Sequence, residues 1–333
     1  MQEEHSGGWR EWSKFLRFSI LLMILGAIVA FSPAWAAEYP SRPIEMVVCY
    51  APGSGGDFGS RMFADRIEKY LGQSIISVYK PGGGGTLGAA FVAKAKPDGY
   101  TLLVGSTTPL VLAGVFKKLD FRMEDFILLG GYAKGLLWLA VKPDSRWKTL
   151  KDLVNEAKKS PGKILTGTFG KQSSSDICRL LLNKYAGIDL VNVPFKSSSE
   201  EITALLGGHI DAAFISSPGA HLESKTIRIL AVAEPERLPV LPDIPTYNEY
   251  GYPVLLSNFY TLCFPKGTPK EIVNRFLDAQ KKAMQNHGEE INKDLKKVEQ
   301  LGMSPNPEET VKIFLDVRKR VTEIAQELGS KAR

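Results

Sequence analysis

From Pro40 onward, short apolar runs alternate with stretches whose apolar residues recur at helical spacing, and this alternation restricts what the chain can fold into. Met46 to Tyr50, Ile75 to Tyr79, Thr101 to Gly105, Ile164 to Thr168, Leu190 to Phe195, Ile210 to Ile215 and Ile227 to Val232 read as buried strands. Between them, Phe58, Met62, Phe63, Ile67 and Leu71 share a helical face that Gly72 ends, and Thr149 with Asp152 opens another helix before Leu153, Val154 and Ala157. Thr268-Pro269-Lys270-Glu271 places Thr at the N-cap and Pro at the first helical position, and Asn306-Pro307-Glu308-Glu309 repeats the device. Strands alternating with helices make βαβ units, so the fold class is α/β with mainly parallel sheet.

At roughly 100 to 200 residues per domain, 333 residues allow one large or two ordinary domains. With 23% charged and 44% hydrophobic residues, a disordered or collagen-like chain is excluded. The net charge of +6 is scattered, with no block of five like charges, so the basic residues read as a solvated surface and no nucleic-acid partner is expected. The first 37 residues differ in kind. Arg10, Lys14 and Arg17 precede a charge-free stretch from Phe18 to Phe31, followed by Ala34-Trp35-Ala36 at a cleavage position, which is the pattern of a secretory signal peptide. The stretch is short of the ~20 apolar residues that span a bilayer. The mature chain is expected to start near Ala37, keeping its +6 charge because Glu3, Glu4 and Glu11 leave with the three basic residues. No cysteine follows the apolar core to carry a lipid, so export to a soluble compartment is expected. There Cys49, Cys178 and Cys263 could form at most one bridge, and their apolar neighbours favour buried free thiols.

The turns at the strand ends are the informative feature. Tyr50 leads into Ala51-Pro52-Gly53-Ser54-Gly55-Gly56-Asp57, Tyr79 into Lys80-Pro81 and Gly82 to Gly85, and Gly105 into Ser106, Thr107 and Thr108. A second group repeats the theme: Gly170-Lys171-Gln172-Ser173-Ser174-Ser175, then Lys196-Ser197-Ser198-Ser199, then Ser216-Ser217-Pro218. In open α/β sheets ligands bind outside the carboxyl ends of the strands. Glycines let the backbone approach a ligand, hydroxyls donate, and the next helix offers unpaired N–H groups, a combination suited to a carboxylate or other small anion. The same residues also cap and turn in any α/β protein. Two matching groups favour the binding surface.

Enzyme motifs are weak. Gly83-Gly84-Gly85-Thr86-Leu87-Gly88 satisfies G-x-G-x-x-G, but the next strand ends Val104-Gly105-Ser106-Thr107 without the acid that would hold a ribose. No Walker A sequence and no G-x-S-x-G occurs. His5, His209, His221 and His287 form no metal-binding spacing, and Asp57, with no partner nucleophile or histidine nearby, reads as an N-cap. No catalytic residue, metal or cofactor is expected.

Tyr39-Pro40-Ser41-Arg42-Pro43-Ile44, Pro52-Gly53-Ser54-Gly55-Gly56-Asp57, Pro81 to Gly85 with Gly88, and Pro97-Asp98-Gly99-Tyr100-Thr101-Leu102 resemble the tripartite tricarboxylate transporter receptors, the Bug family. Val193-Pro194-Phe195-Lys196, Leu205-Leu206-Gly207-Gly208-His209-Ile210-Asp211, Leu241-Pro242-Asp243-Ile244-Pro245-Thr246 and Pro265-Lys266-Gly267-Thr268-Pro269 continue the match in order and spacing over nearly all of the mature chain. The resemblance implies two doubly wound domains of the periplasmic binding protein type joined by two crossover strands: residues 38–133 plus 260–333, and residues 134–259. It also implies a monomeric periplasmic receptor that closes on a small organic carboxylate and hands it to an inner-membrane permease with large and small subunits. A receptor presenting ligand to a membrane sensor kinase, and a secreted α/β enzyme acting on a carboxylate, are the rival readings. The candidate ligand-binding residues are Tyr50, Pro52, Gly53, Ser54, Gly55, Gly56, Asp57, Ser106, Thr107, Gly170, Lys171, Gln172, Ser173, Ser174, Ser175, Lys196 and Ser216. The sequence departs from the family pattern at Ser54, Lys171, Gln172, Asp176 and Ser197, so the resemblance does not carry the identity of the acid.

Overall fold

Strand β1 (Ile44–Val48) buries every residue except Glu45, as expected of a strand covered on both faces. The computed structural model describes residues 39–216, 218–239 and 241–329, so the expected signal peptide, residues 1–37, lies outside the described residues. Helix α1 (Gly55–Leu71) comes next, burying Met62, Phe63, Ile67 and Leu71, each worth about 1.5–3 kcal/mol when fully removed from water. It ends at Gly72, whose φ of 80° only glycine adopts readily and whose N–H closes on Glu68 O. Then come β2 (Ile75–Tyr79), α2 (Thr86–Ala93), β3 (Thr101–Ser106) and β4 (Phe126–Gly135). After them β5 (Trp138–Val141), α3 (Leu150–Lys159), β6 (Ile164–Thr168), α4 (Ser174–Ala186), β7 (Leu190–Pro194), α5 (Ser198–Leu206), β8 (Ala212–Ile215) and β9 (Arg228–Val232) build a second sheet. The chain returns through β10 (Asn258–Pro265), α6 (Lys270–Lys296), β11 (Gln300–Gly302) and α7 (Pro307–Gly329).

Among the described residues the first sheet has six strands in the order β11-β4-β10-β3-β1-β2, and the second has five in the order β7-β6-β8-β5-β9. The two share one plan. In each, a βαβαβ run supplies three parallel strands with the first at the centre, β2-β1-β3 and β7-β6-β8. In each, the third strand then pairs antiparallel with a strand outside that run: β10, which follows the second crossover, in the first sheet, and β5, which precedes the run, in the second. Between β4 and β5 the chain passes from one sheet to the other, and it returns between β9 and β10. The Glu234 carboxylate ties the crossovers together, accepting from Lys134 Nζ at 2.6 Å and Ser257 Oγ at 2.7 Å.

All seven expected strands form, and the parallel ladders between strands lie within the βαβαβ runs, with one isolated parallel bridge between Val232 and Thr246. The antiparallel ladders come from β4, β5, β10 and β11, which the periodicity does not announce. Glycines interrupt β4: Gly130 has a φ of 98° because the backbone of Pro305 and Asn306 lies 2.8 Å from where a Cβ would stand. That approach seats the start of α7, where Asn306 Oδ1 accepts the Glu309 N–H as expected. Thr268 does not cap α6. Its Oγ1 donates to Pro265 O at 2.8 Å, and the extended Pro269 occupies the cap position. Cys49, Cys178 and Cys263 are buried free thiols, and burial pushes Cys49 up to about 12. No described helix is long and apolar enough to cross a membrane.

Candidate functional site

The turn after β1 and the turn after β6 carry the same hydrogen bonds. Ser54 caps α1 by accepting the Asp57 N–H at 3.3 Å, and Asp57 Oδ2 reaches back to the Gly53 N–H at 2.8 Å. Ser173 caps α4 by accepting the Asp176 N–H at 3.3 Å, and Asp176 Oδ2 reaches back to the Gln172 N–H at 2.8 Å. Each helix thus starts at a serine N-cap and carries at its third position an aspartate that accepts the N–H of the residue before the cap, so Asp57 is not the N-cap that the sequence suggested. Each aspartate is also held by an arginine one turn on, Arg61 at 2.9 Å and Arg179 at 2.8 and 2.9 Å, which offsets its negative charge at the helix start. Gly53 (φ 79°) and Gln172 (φ 61°) occupy equivalent left-handed positions, which glycine adopts freely and glutamine only at a cost. A helix leaves its first N–H groups unpaired, here those of Gly55 and Gly56 in α1. Gly56 must be glycine, because a Cβ there would stand 2.7 Å from the Tyr50 ring packed over the turn.

A third group joins the two sheets' loops. Thr108 Oγ1 lies 3.1 Å from Ser174 Oγ and 3.2 Å from Asn258 Oδ1, and Thr107 Oγ1 donates to Asn258 Oδ1 at 3.0 Å. Ser106 Oγ accepts the Tyr50 hydroxyl at 2.6 Å and the Thr108 N–H at 3.3 Å. The loops meet again where a Cβ on Gly170 would come 4.0 Å from Gly84 N.

Between these loops lies a cavity of about 770 Å³. Tyr50, Gly53, Ser54, Gly55, Gly56, Gly170, Lys171, Gln172, Lys196 and Ser216 line it, as the sequence suggested. Pro52, Asp57, Ser106, Thr107, Ser173, Ser174 and Ser175 do not. Pro52 is exposed away from the lining, and the other six are buried behind it, held in hydrogen bonds within the protein. Ser175 in particular accepts the Phe169 N–H at 3.0 Å and pairs with Ser173 Oγ at 3.0 Å. The two turns are therefore alike in bonding and unlike in presentation: α1 brings its first residues to the cavity, whereas α4 is covered by Phe169 to Gln172.

Several hydroxyls around the cavity make hydrogen bonds within the protein, Ser54 and Ser197 only as acceptors, which leaves their O–H groups able to donate. Ser198 Oγ and Ser216 Oγ pair at 3.2 Å, Ser197 Oγ accepts the Glu200 N–H, and Thr203 Oγ1 donates to Ser199 O. Lys117, Lys171 and Lys196 reach the lining, and among the described residues no Asp or Glu does. A cavity with cations, free N–H groups and no acid favours an anion. Burial pushes the Tyr50 hydroxyl well above its ordinary value, so it stays a neutral donor.

Sequence reasoning missed Phe169, Phe195, Asn258, Tyr260 and Lys117, all of which reach the cavity. Phe169 and Phe195 sit at the carboxyl ends of parallel strands, where ligands bind, so their position was the available signal. Asn258 and Tyr260 belong to β10, which no periodicity revealed.

A family model described as the tripartite tricarboxylate transporter family receptor matches residues 60–330. The UPF0065 protein in the gbd 5' region of Cupriavidus necator is 33% identical over 265 residues, which is 78% of this chain and 80% of that one. Among solved structures, the periplasmic binding protein BugD superposes with a TM-score of 0.80 at 26% identity, covering 87% of this chain and 99% of its own. MatC from Rhodopseudomonas palustris, solved with bound malate, gives a TM-score of 0.80 at 27% identity, covering 86% of this chain and 100% of its own. With a family match over most of its length and relatives alike in both sequence and fold, the chain belongs to the tripartite tricarboxylate transporter receptors, the Bug family.

Proposed function

We propose that this protein is a periplasmic solute receptor that holds a small carboxylate between two lobes and delivers it to an inner-membrane permease with large and small subunits. The lobes are residues 38–133 plus 260–333 and residues 134–259. The observation that carries this reading is the cavity to which α1 presents Gly55 and Gly56 and whose lining, among the described residues, includes three lysines and no acid. Malate in MatC supports the ligand class. On this proposal the protein is a binder and not an enzyme, which is supported by Asp57 being held by Gly53 N and Arg61 and by the imidazole of cavity-lining His221 pairing with Thr226 Oγ1 at 2.7 Å.

A thermal-shift screen of di- and tricarboxylates, aromatic acids and acidic amino acids tests the proposal. A ligand at 100 times its Kd adds about 2.7 kcal/mol of apparent stability. Sodium sulfate at equal ionic strength is the control. If no acid raises the melting temperature above that control, the receptor reading fails.

A further inference from the structure

Four aromatic rings border the cavity, two from each sheet. Tyr50 lies just past β1 and Tyr260 on β10, whereas Phe169 and Phe195 lie just past β6 and β7. The tyrosines pack edge to face, with centroids 5.7 Å apart and planes at 75°. Phe169 and Phe195 are half-buried and have no ring or cation partner among the described residues. Phe169 packs on one core cluster and Phe195 on another, and each half-buried ring leaves apolar surface at the cavity. The cavity, at about 770 Å³, also falls within the roughly 300–1,000 Å³ of sites that enclose drug-sized ligands, so it has room for a ring.

We infer that the ligand is an aromatic carboxylate, its ring against Phe169 and Phe195 and its carboxylate at the α1 N-terminus near Lys171. Rings prefer offset or edge-on contact with other rings, which an aliphatic chain of equal area does not reproduce. The inference rests on the receptor reading and narrows it from any small acid to one with a planar apolar body.

The test is calorimetric titration of the full mature chain with benzoate, phenylacetate, cyclohexylacetate, malate and adipate. An aryl acid is expected to bind at least tenfold more tightly than malate or adipate, and phenylacetate more tightly than cyclohexylacetate. Phe169→Leu and Phe195→Leu keep apolar bulk and remove the ring. At least one of them should narrow the phenylacetate-to-cyclohexylacetate ratio at least threefold, with the unliganded melting temperature reporting that the variant is folded. If malate or adipate binds as tightly as the aryl acids, or both folded variants keep the wild-type ratio, the aryl inference is overturned and the receptor reading stands. If none of the five acids binds, the aryl inference is overturned, and the wider acid screen decides the receptor reading separately.

Discussion

Glu201 lies on α5 next to cavity-lining Ile202, and its replacement by methionine is expected to stabilise the protein increasingly as pH rises. The side chain is fully buried, and neither carboxyl oxygen has a hydrogen-bond partner. Its room comes from Gly167, where a Cβ would stand 3.4 Å from Glu201 Cγ. Burial, reinforced by the charge of Glu200, pushes the carboxyl well above its ordinary value of 4.5. Below that value both native and unfolded chains hold the proton. Above it the unfolded chain releases the proton and the native one keeps it, so stability falls by about 1.4 kcal/mol per pH unit until the native carboxyl also ionises. A buried polar group left unbonded costs about 1–3 kcal/mol even when neutral. Methionine has similar length and no polar oxygen, so Glu201→Met should gain about 1–3 kcal/mol near pH 4.5 and more at pH 7. At about 2–4 °C per kcal/mol for a chain of this size, that is a rise of several degrees. Urea unfolding of both proteins at pH 4.5, 6 and 7.5 measures the difference directly. A less stable variant, or a gap that stays constant with pH, would refute the reasoning, because either result means the carboxyl has a partner or is already charged.

Ser173→Ala removes the α4 cap and should lower unliganded stability by about 1 kcal/mol in urea titration while changing ligand affinity less than threefold, since Ser173 lies behind the cavity wall. Gln172→Gly relieves a left-handed glutamine and should raise stability by about 1–2 kcal/mol; a lower melting temperature would show that the backbone there is unstrained. Lys171→Ala should weaken carboxylate binding in low salt and much less in 0.5 M NaCl, with unchanged unliganded melting; equal affinity in low salt would make the lysine a surface residue.

The parallel cores were legible because their strands are short, apolar throughout and ended by Gly/Ser turns; β2 and β6 match their expected bounds. The added strands were not, for a physical reason: β4 bends at Gly130 and Gly131 to receive α7, and a strand broken by glycine loses the pattern that identifies it. The site shows the same division. The Gly53–Asp57 turn was readable as a place where backbone is exposed at the strand ends, and Gly53 to Gly56 line the cavity. The serines of the Ser173–Ser175 turn have the same residue chemistry as ligand donors, and only the fold shows that their hydroxyls face Asp176, Thr108 and Phe169. Composition reveals which groups can donate, not whether the protein already uses them.

The passage of the chain between the sheets also bears on assembly. All five strands of the second sheet lie between Trp138 and Val232, one continuous stretch in which β5 pairs with β8 and β9 across the intervening βαβαβ run. The first sheet cannot close until β10 slides between β3 and β4, pairing Ser106 with Tyr260 across the whole intervening lobe. Such a long loop is entropically slow to close, and a high-contact-order step of this kind limits the folding rate. The second sheet can thus form before β10 arrives, and its formation brings the ends of the crossovers together. A chain truncated before Asn258 keeps every strand of its second sheet while β3 and β4 stand with open edges, the state most exposed to edge-to-edge aggregation.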